Sequence, residues 1–323
     1  MSFKIIKGQD RAINILKTQM LNKRIPCGYL FSGAEGIGKF LTARTFAKAI
    51  NCIKQMPDSC DDCPSCLKID KGGHPDVHIV DLPGDTPESD TIKIEQIRQI
   101  NKEVGLKPYE GRKKVFIIND AHRLTIDAQN AVLKTLEEPP IDTLIILVSS
   151  KPDLLFKTII SRCQIIKFST LKRKELKDII KRDYGLSDTV AHFLAYFCEG
   201  RIGAALKLID TDIFRQKNII IDSFILTASG RQRNQLDLSK KSMRSYLDIL
   251  ASYFRDIYLI KAGIPLPEAI NLDRRDELFR LSGRYSFADL NEIMNIIKDT
   301  SIYLEQNLNA KLLFSYLEHS LKN

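Results

Sequence analysis

Short apolar runs alternate with helical patterns along the first half of the chain. Runs rich in β-branched and aromatic residues predict five buried strands, at residues 29–32, 77–80, 115–118, 144–148 and 165–168. Apolar residues three or four positions apart predict intervening helices at 41–50, 92–104 and 125–136. Because strands that alternate with helices are typical of a parallel, doubly wound sheet, we predict an α/β domain over residues 1–168.

The strand patterns stop after residue 168. Three compact helical patterns follow, at residues 172–182, 189–198 and 203–209. They predict a small helical lid domain over residues 169–210, and a longer helical pattern predicts a second helical domain over 211–323. We interpret the polar stretch 231–235 as a loop or the start of a helix.

Composition narrows the class of protein. A chain of 323 residues is long enough for two or three domains, and 44% apolar with 28% charged residues is ordinary for a globular protein. No apolar run is long enough for a membrane span, and the N-terminus lacks a secretory signal, so we expect a cytoplasmic protein without membrane contact. The 49 lysines and arginines exceed the 40 acidic residues by 9, which favours proximity to a polyanion without defining a site.

Residues 33–40, Gly-Ala-Glu-Gly-Ile-Gly-Lys-Phe, contain most of a phosphate-binding loop. In such a loop the glycines, here Gly33, Gly36 and Gly38, let backbone N–H groups surround phosphates, and the lysine, here Lys39, neutralises them. The next residue is normally a Ser or Thr whose hydroxyl binds Mg²⁺. Phe40 stands there instead and cannot bind a metal ion.

The segment 114–122, which contains the predicted strand 115–118, resembles the Walker B motif that accompanies such a loop. Asn119 replaces the metal-binding Asp of that motif. A neutral amide oxygen is a poor substitute for a carboxylate as a ligand of a strongly hydrated dication. We therefore do not expect Mg²⁺ binding or ATP hydrolysis by this chain alone. The sequence leaves open whether ATP or ADP still binds, or whether the loop persists only as a strand-to-helix turn.

Four of the seven cysteines fall in one short segment, at Cys52, Cys60, Cys63 and Cys66. Cysteines two residues apart are spaced to bind one tetrahedral ion, so we predict a structural zinc module over residues 52–66 with all four positions occupied by sulfur. A disulfide interpretation is weaker, because such bonds rarely persist in a reducing cytosol.

Four motifs in this order and spacing resemble the δ′ family of the bacterial DNA polymerase III clamp loader. They are the glycine loop, the cysteine cluster, and residues 134–140 and 161–163. The resemblance implies an AAA+ fold and a ring-like pentamer in which γ or τ motor subunits use ATP, with a δ subunit, to open the sliding clamp and place it on primed DNA. It also implies that the domain at 211–323 is an oligomerisation collar and that the subunit is a rigid stator within the polymerase III holoenzyme.

The γ and τ subunits share the cysteine cluster and the Leu-Glu-Glu-Pro-Pro run, so these motifs do not separate the two types. The nucleotide site does. Beside Phe40, the Walker B segment reads Asn119-Asp120 where a motor subunit has Asp-Glu, and Gly203 stands where the resemblance places a sensor arginine. These departures favour a subunit of the δ′ type that does not hydrolyse ATP.

The resemblance gives Arg162, in the Ser-Arg-Cys motif, the role of an arginine finger that acts in trans on ATP held by a neighbouring subunit. A planar guanidinium can donate two hydrogen bonds to phosphate oxygens and offset the negative charge of the transition state. The alternative is that Arg162 only pairs with a nearby carboxylate.

Two other functions remain open. One is an active ATPase of the γ/τ type, in which Asp120 and water replace the missing metal ligands. The other is a nucleotide-free DNA-binding protein that uses Lys93, Arg98 and the basic segment 172–181 in salt-dependent phosphate contacts. The scattered histidines, His74, His78 and His122, are interpreted as ordinary surface or core residues.

Overall fold

A computed structural model describes residues 2–54, 57–82, 91–225, 237, 239–306 and 308–322. The chain forms two compact units, the first from residues 1–171 with 201–204 and the second from 172–200 with 205–323. The polar stretch 231–235 lies outside the described residues. Within the described ranges, no helix has the length and apolar character needed to cross a bilayer.

A five-stranded parallel sheet is the centre of the first unit. Its strands are β1 (Gly28–Ser32), β2 (Val77–Val80), β3 (Lys114–Ile118), β4 (Thr143–Ser149) and β5 (Gln164–Lys167). They lie in the order β2-β3-β4-β1-β5, and every neighbouring pair is parallel. All residues of β3 and β4 are buried, because helices cover both faces of the sheet.

The helices of the first unit lie in two layers. They are α1 (Asp10–Leu21), α2 (Lys39–Asn51), α3 (Pro64–Asp70), α4 (Ile94–Val104), α5 (Ile126–Glu137) and α6 (Lys157–Arg162). Side chains alternate along the strands, so Phe31 and Ile117 pack with α1 and α2 on one face. Leu30 and Phe116 pack with α4, α5 and α6 on the other. The predicted doubly wound α/β fold is confirmed, whereas α1, α3 and α6 were not predicted.

The described part of the second unit is helical. Its helices are α7 (Arg173–Tyr184), α8 (Asp188–Phe197), α9 (Ile202–Ile209, which begins among the residues grouped with the first unit), α10 (Ile213–Ile225), α11 (Lys240–Lys261), α12 (Arg275–Arg284), α13 (Phe287–Glu305) and α14 (Ala310–Lys322). The 22-residue helix α11 is central and contacts α10, α12, α13 and α14. The helical character after residue 168 agrees with the prediction, and the division into a lid and a collar at residue 210 stays a prediction.

Two buried side chains hold the loop that leads into β3. Asp76 accepts hydrogen bonds from the N–H groups of Tyr109, Glu110 and Gly111, at 2.7, 2.9 and 2.7 Å. Asn51, the last residue of α2, accepts from the next two N–H groups, at 2.9 and 3.0 Å. Burial alone would raise the pKa of Asp76, but the three N–H donors outweigh it and lower the pKa. Five consecutive amides are thereby satisfied by two side chains, which fixes the start of β3.

We expect Asp76→Asn to lower the free energy of unfolding by about 1–3 kcal/mol near neutral pH, because an amide cannot replace a carboxylate as the acceptor of three N–H groups. The folded-state pKa of Asp76 lies below the ordinary 3.8, so its stabilisation is present above pH 3.8 and is lost as the pH falls through the folded-state pKa. Urea unfolding should therefore show a difference in free energy of unfolding between the wild type and Asp76→Asn that becomes smaller below about pH 4. The exposed Asp153→Asn is the control, and an equal effect of both changes would contradict this account.

Candidate functional site

The glycine loop connects β1 to α2 through three backbone positions with positive φ. Gly33, Gly36 and Gly38 have φ values of 151°, 74° and 93°. A Cβ atom at Gly33 would lie 2.5 Å from the carbonyl oxygen of Phe168, which directly follows β5. Glycine is therefore required by local backbone geometry, apart from any ligand.

Lys39 is the first residue of α2 and its ammonium group is folded back onto the loop. Its Nζ donates a hydrogen bond to the carbonyl oxygen of Ala34 at 2.5 Å. Burial lowers the pKa of Lys39, while the negative charges of Asp120 and Glu35 act in the opposite direction. The loop thus has the cationic group that a phosphate site needs, and that group already has an intramolecular partner.

Both positions that would bind Mg²⁺ in a motor subunit are used for other contacts. Phe40 packs against the apolar cluster that contains Phe31. The side-chain amide of Asn119 donates to Asp81 Oδ1 at 2.8 Å. Asp120 follows in the left-handed region, with φ 47°, and begins the turn after β3. This arrangement provides neither the hydroxyl nor the carboxylate that normally binds the metal ion.

Gly203, in the first turn of α9, lies directly against the glycine loop. Its N–H donates to the carbonyl oxygen of Gly36 at 2.7 Å. A Cβ atom at position 203 would lie 2.8 Å from that oxygen, so a side chain does not fit without a shift of the backbone. The residue at the predicted sensor position is therefore a hydrogen-bond donor to the loop through its main chain.

The four predicted cysteine ligands come together. Their sulfur atoms all lie within 4.8 Å of one another, and the Cys60 and Cys66 sulfurs are 3.9 Å apart. Tetrahedral zinc with Zn–S bonds of about 2.3 Å requires sulfur atoms about 3.8 Å apart. The N–H groups of Cys63 and Cys66 each point at the preceding ligand sulfur, both at 3.4 Å, which favours thiolates. The cluster is thus compatible with zinc.

Two helices position these cysteines. Cys52 directly follows α2, while Cys63 caps the N-terminus of α3 and Cys66 lies in its first turn. The buried Lys48 on α2 donates to Asp70 at 2.6 Å and pairs with Asp61, which lies between Cys60 and Cys63, at 2.7 Å. These ionic contacts hold the cysteine segment and α3 against α2 independently of a metal ion.

Arg162 is the last residue of α6, and its guanidinium makes two contacts. One terminal nitrogen, NH2, lies 3.0 Å from Oε1 of Glu137, and the other, NH1, donates to the carbonyl oxygen of Thr158 at 3.1 Å. The Arg162 and Glu137 side chains are 38% and 43% exposed. The carboxylate pairing that the alternative interpretation expected is therefore present, and the side chain is still accessible from outside the chain.

Sequence reasoning missed Glu137 as the partner of Arg162. The Leu-Glu-Glu-Pro-Pro run was the available signal, but it did not reveal which glutamate faces the arginine. Position 28 was missed as well. A Cβ atom at Gly28 would lie 2.8 Å from Leu136 Cδ2 and 3.3 Å from the carbonyl oxygen of Arg162, so glycine lets the ends of α5 and α6 approach each other.

The other candidate residues have ordinary environments. In the basic segment, Lys177 and Lys181 both pair with Asp188, at 2.9 and 2.7 Å. Lys93 and Arg98 are exposed at the start of α4. The histidines do not come together: His74 contacts Ser65, His78 contacts Glu103, and burial lowers the pKa of His122.

The strand order and the glycine loop between β1 and α2 define a doubly wound α/β protein of the P-loop class, with a helical region after β5. Residues 8–172 match the family described as DNA polymerase III, delta subunit, and residues 217–317 match the C-terminal domain of that description. The DNA polymerase III subunit delta′ of Bacillus subtilis is 32% identical over 266 residues, which are 79% of this chain and 78% of that protein. The chain belongs to the DNA polymerase III delta-subunit family and is of the delta′ type.

Tau and gamma subunits of DNA polymerase III are also similar to this chain. The tau subunit of Bacillus subtilis is 28% identical over 97% of this chain, which spans 60% of that protein. The tau subunit of Escherichia coli is 34% identical over 66% of this chain and 33% of that protein. A solved gamma subunit-related protein of Thermotoga maritima aligns over 96% of this chain and 98% of its own, with a TM-score of 0.46 and 16% identity.

We expect Gly33→Ala to lower the free energy of unfolding by about 1–3 kcal/mol, because a methyl group there requires a strained φ and meets the Phe168 carbonyl. Gly105→Ala is the matched control, since Gly105 has φ −72° and open space around its Cα, and it should change stability by less than about 1 kcal/mol. Urea unfolding of the isolated chain measures both. Equal changes in the free energy of unfolding for Gly33→Ala and Gly105→Ala would contradict this prediction, because they would show that the loop accommodates the methyl group without strain.

Proposed function

We propose that this chain is a non-hydrolysing, stator-like subunit of a DNA polymerase III clamp loader. In this proposal it assembles in the cytoplasm with γ or τ motor subunits and a δ subunit, and the complex loads a sliding clamp onto primed DNA. The helical region 211–323 serves as the collar and residues 169–210 as the lid. The observation that carries the proposal is that Phe40 and Asn119 are engaged in intramolecular contacts where a motor subunit binds its metal ion.

The absence of metal ligands explains why intrinsic ATP hydrolysis is not expected. Mg²⁺ bridges the phosphates and neutralises charge that develops in phosphoryl transfer, and it prefers charged or hydroxyl oxygens. A nucleotide would also compete with the Lys39 bond to Ala34 and the Gly203 bond to Gly36. We therefore propose that the loop is mainly an architectural connection and that it binds ATP or ADP weakly at most.

Arg162 gives the subunit a part in the chemistry of its neighbour. A guanidinium has five N–H donors, and the two intramolecular contacts use only part of this capacity. Its partial exposure at a helix end supports the proposal that it reaches phosphate oxygens of ATP bound by an adjacent motor subunit. The chain then contributes to catalysis without being an ATPase.

We expect Arg162→Ala to reduce ATP hydrolysis by the reconstituted complex, with assembly unchanged in gel filtration. An arginine supplied in trans raises the rate of hydrolysis about 10³- to 10⁵-fold at the ATP site that it contacts. Single-turnover measurements should therefore show one class of ATP sites that hydrolyses almost no ATP in the variant. Lys157→Ala, which removes an exposed cation from the same helix, should leave turnover unchanged.

The same experiment includes the isolated chain, which should show no magnesium-dependent turnover. Turnover that disappears on Lys39→Ala would instead establish an active ATPase of the motor type. Unchanged hydrolysis by the complex after Arg162→Ala would remove the role in trans.

The cysteine cluster supports a second proposal, that Cys52, Cys60, Cys63 and Cys66 hold a structural zinc ion. We expect about one zinc per chain by elemental analysis. Cys66→Ser should lose the metal and lower the melting temperature, because binding energy at such a site is also folding energy. Cys27→Ser, outside the cluster, should retain the metal. A metal-free preparation as stable as the zinc-bound protein would refute the structural role.

A further inference from the structure

We propose that Glu137 is a positioning residue for Arg162: it orients the guanidinium so that its remaining N–H groups meet the phosphates of ATP in the neighbouring subunit. This inference rests on the proposed function of Arg162 in trans. Glu137 is the first glutamate of the Leu-Glu-Glu-Pro-Pro run. It belongs neither to the glycine loop nor to the cysteine cluster, so the roles proposed for those two sites do not account for it.

Two contacts hold the guanidinium by its two terminal nitrogens. Glu137 Oε1 lies 3.0 Å from NH2, and the Thr158 carbonyl oxygen accepts from NH1 at 3.1 Å. Because the guanidinium is planar, two contacts at different nitrogens restrict the orientation of the whole group. They leave unused donors that can bind phosphate oxygens.

Stability does not account for this ion pair. Both side chains are more than a third exposed, and exposed ion pairs contribute little to folding. Glu137 is moreover the last residue of α5, where the negative end of the helix dipole disfavours a carboxylate. Arg162, in the last turn of α6, is already favoured by the dipole of its own helix. A glutamate at this position is thus better explained by what it does to the arginine.

The backbone brings the two residues together. The ends of α5 and α6 converge over Gly28, where a Cβ atom would lie 2.8 Å from Leu136 Cδ2 and 3.3 Å from both the Arg162 carbonyl oxygen and Cys163 Sγ. Leu136 and Cys163 are themselves buried, so the main chain next to Glu137 and next to Arg162 is anchored in the core. The pair is therefore placed by two fixed helix ends.

An oriented arginine needs less reorganisation when it meets the phosphates. Without Glu137 the long side chain can rotate among its rotamers, and only some of these reach the neighbouring site. The loss should appear in the turnover number rather than in the KM for ATP, because ground-state binding of the nucleotide belongs to the motor subunit.

The test compares four variants of this chain in the complete reconstituted complex, with wild-type partners and ATP as the substrate. The variants are Glu137→Gln, Glu138→Gln, Arg162→Ala and the double variant Glu137→Gln with Arg162→Ala. Glu137→Gln should lower the arginine-dependent part of kcat about tenfold with the KM for ATP unchanged, as is common when a residue that orients a functional group is removed. Glu138→Gln, with the same charge change one residue later, should behave as wild type.

In the absence of Arg162, the change at Glu137 should have no further effect, so the double variant should equal Arg162→Ala. Melting temperature and gel filtration should show that all variants fold and assemble. Unchanged turnover in Arg162→Ala would refute the proposed function of the arginine and this inference with it.

A large effect of Arg162→Ala with no difference between Glu137→Gln and Glu138→Gln would refute the positioning role alone. Faster turnover in Glu137→Gln would also overturn it, because the carboxylate would then restrain the arginine. A lower kcat in the double variant than in Arg162→Ala would also refute it, because Glu137 would then act on turnover without Arg162.

Discussion

The turn between β1 and α2 is the constraint on which much of the first unit depends. A Cβ atom at Gly33 would lie only 2.5 Å from the carbonyl oxygen of Phe168, which follows β5. The carbonyl oxygen of Gly36 accepts a hydrogen bond from the N–H of Gly203 at 2.7 Å. One loop therefore contacts the end of β5 and the start of α9, and both approaches require the absence of a side chain. The loop therefore has a structural role in the first unit apart from any ligand.

The residues that replace the expected metal ligands make contacts within the first unit. Phe40 adds apolar surface to the cluster under α2, whereas a hydroxyl at that position would have faced a cation. The side-chain amide of Asn119 donates a hydrogen bond to the Asp81 carboxylate. Lys39 is buried, and its ammonium group donates to the Ala34 carbonyl oxygen. These intramolecular contacts suit the proposed role of a rigid subunit.

The proposed contributions of this subunit to its neighbours depend on helix ends. Arg162 ends α6, Glu137 ends α5, and Cys52 and Cys63 lie at the end of α2 and the start of α3. Backbone hydrogen bonding is incomplete at such positions, so polar groups there are available to bind side chains or ligands. The helices serve as rigid supports, and their termini carry the groups that we propose to bind a metal ion or to contact a partner.

Local patterns predicted the strands, the glycine loop, the cysteine cluster and the helices α2, α4, α5, α7, α8 and α9, because hydrophobic period and residue spacing act over a few positions of the chain. They did not reveal the short helix α6 or the pairing of Glu137 with Arg162. Nor did they reveal the hydrogen bonds that Asp76 accepts from backbone N–H groups 33 to 35 residues away. These contacts join segments that are distant in sequence, so they depend on the path of the sheet and on where each helix ends. Only the tertiary structure decides which of two adjacent glutamates meets the arginine, because one residue along a helix rotates a side chain by about 100°.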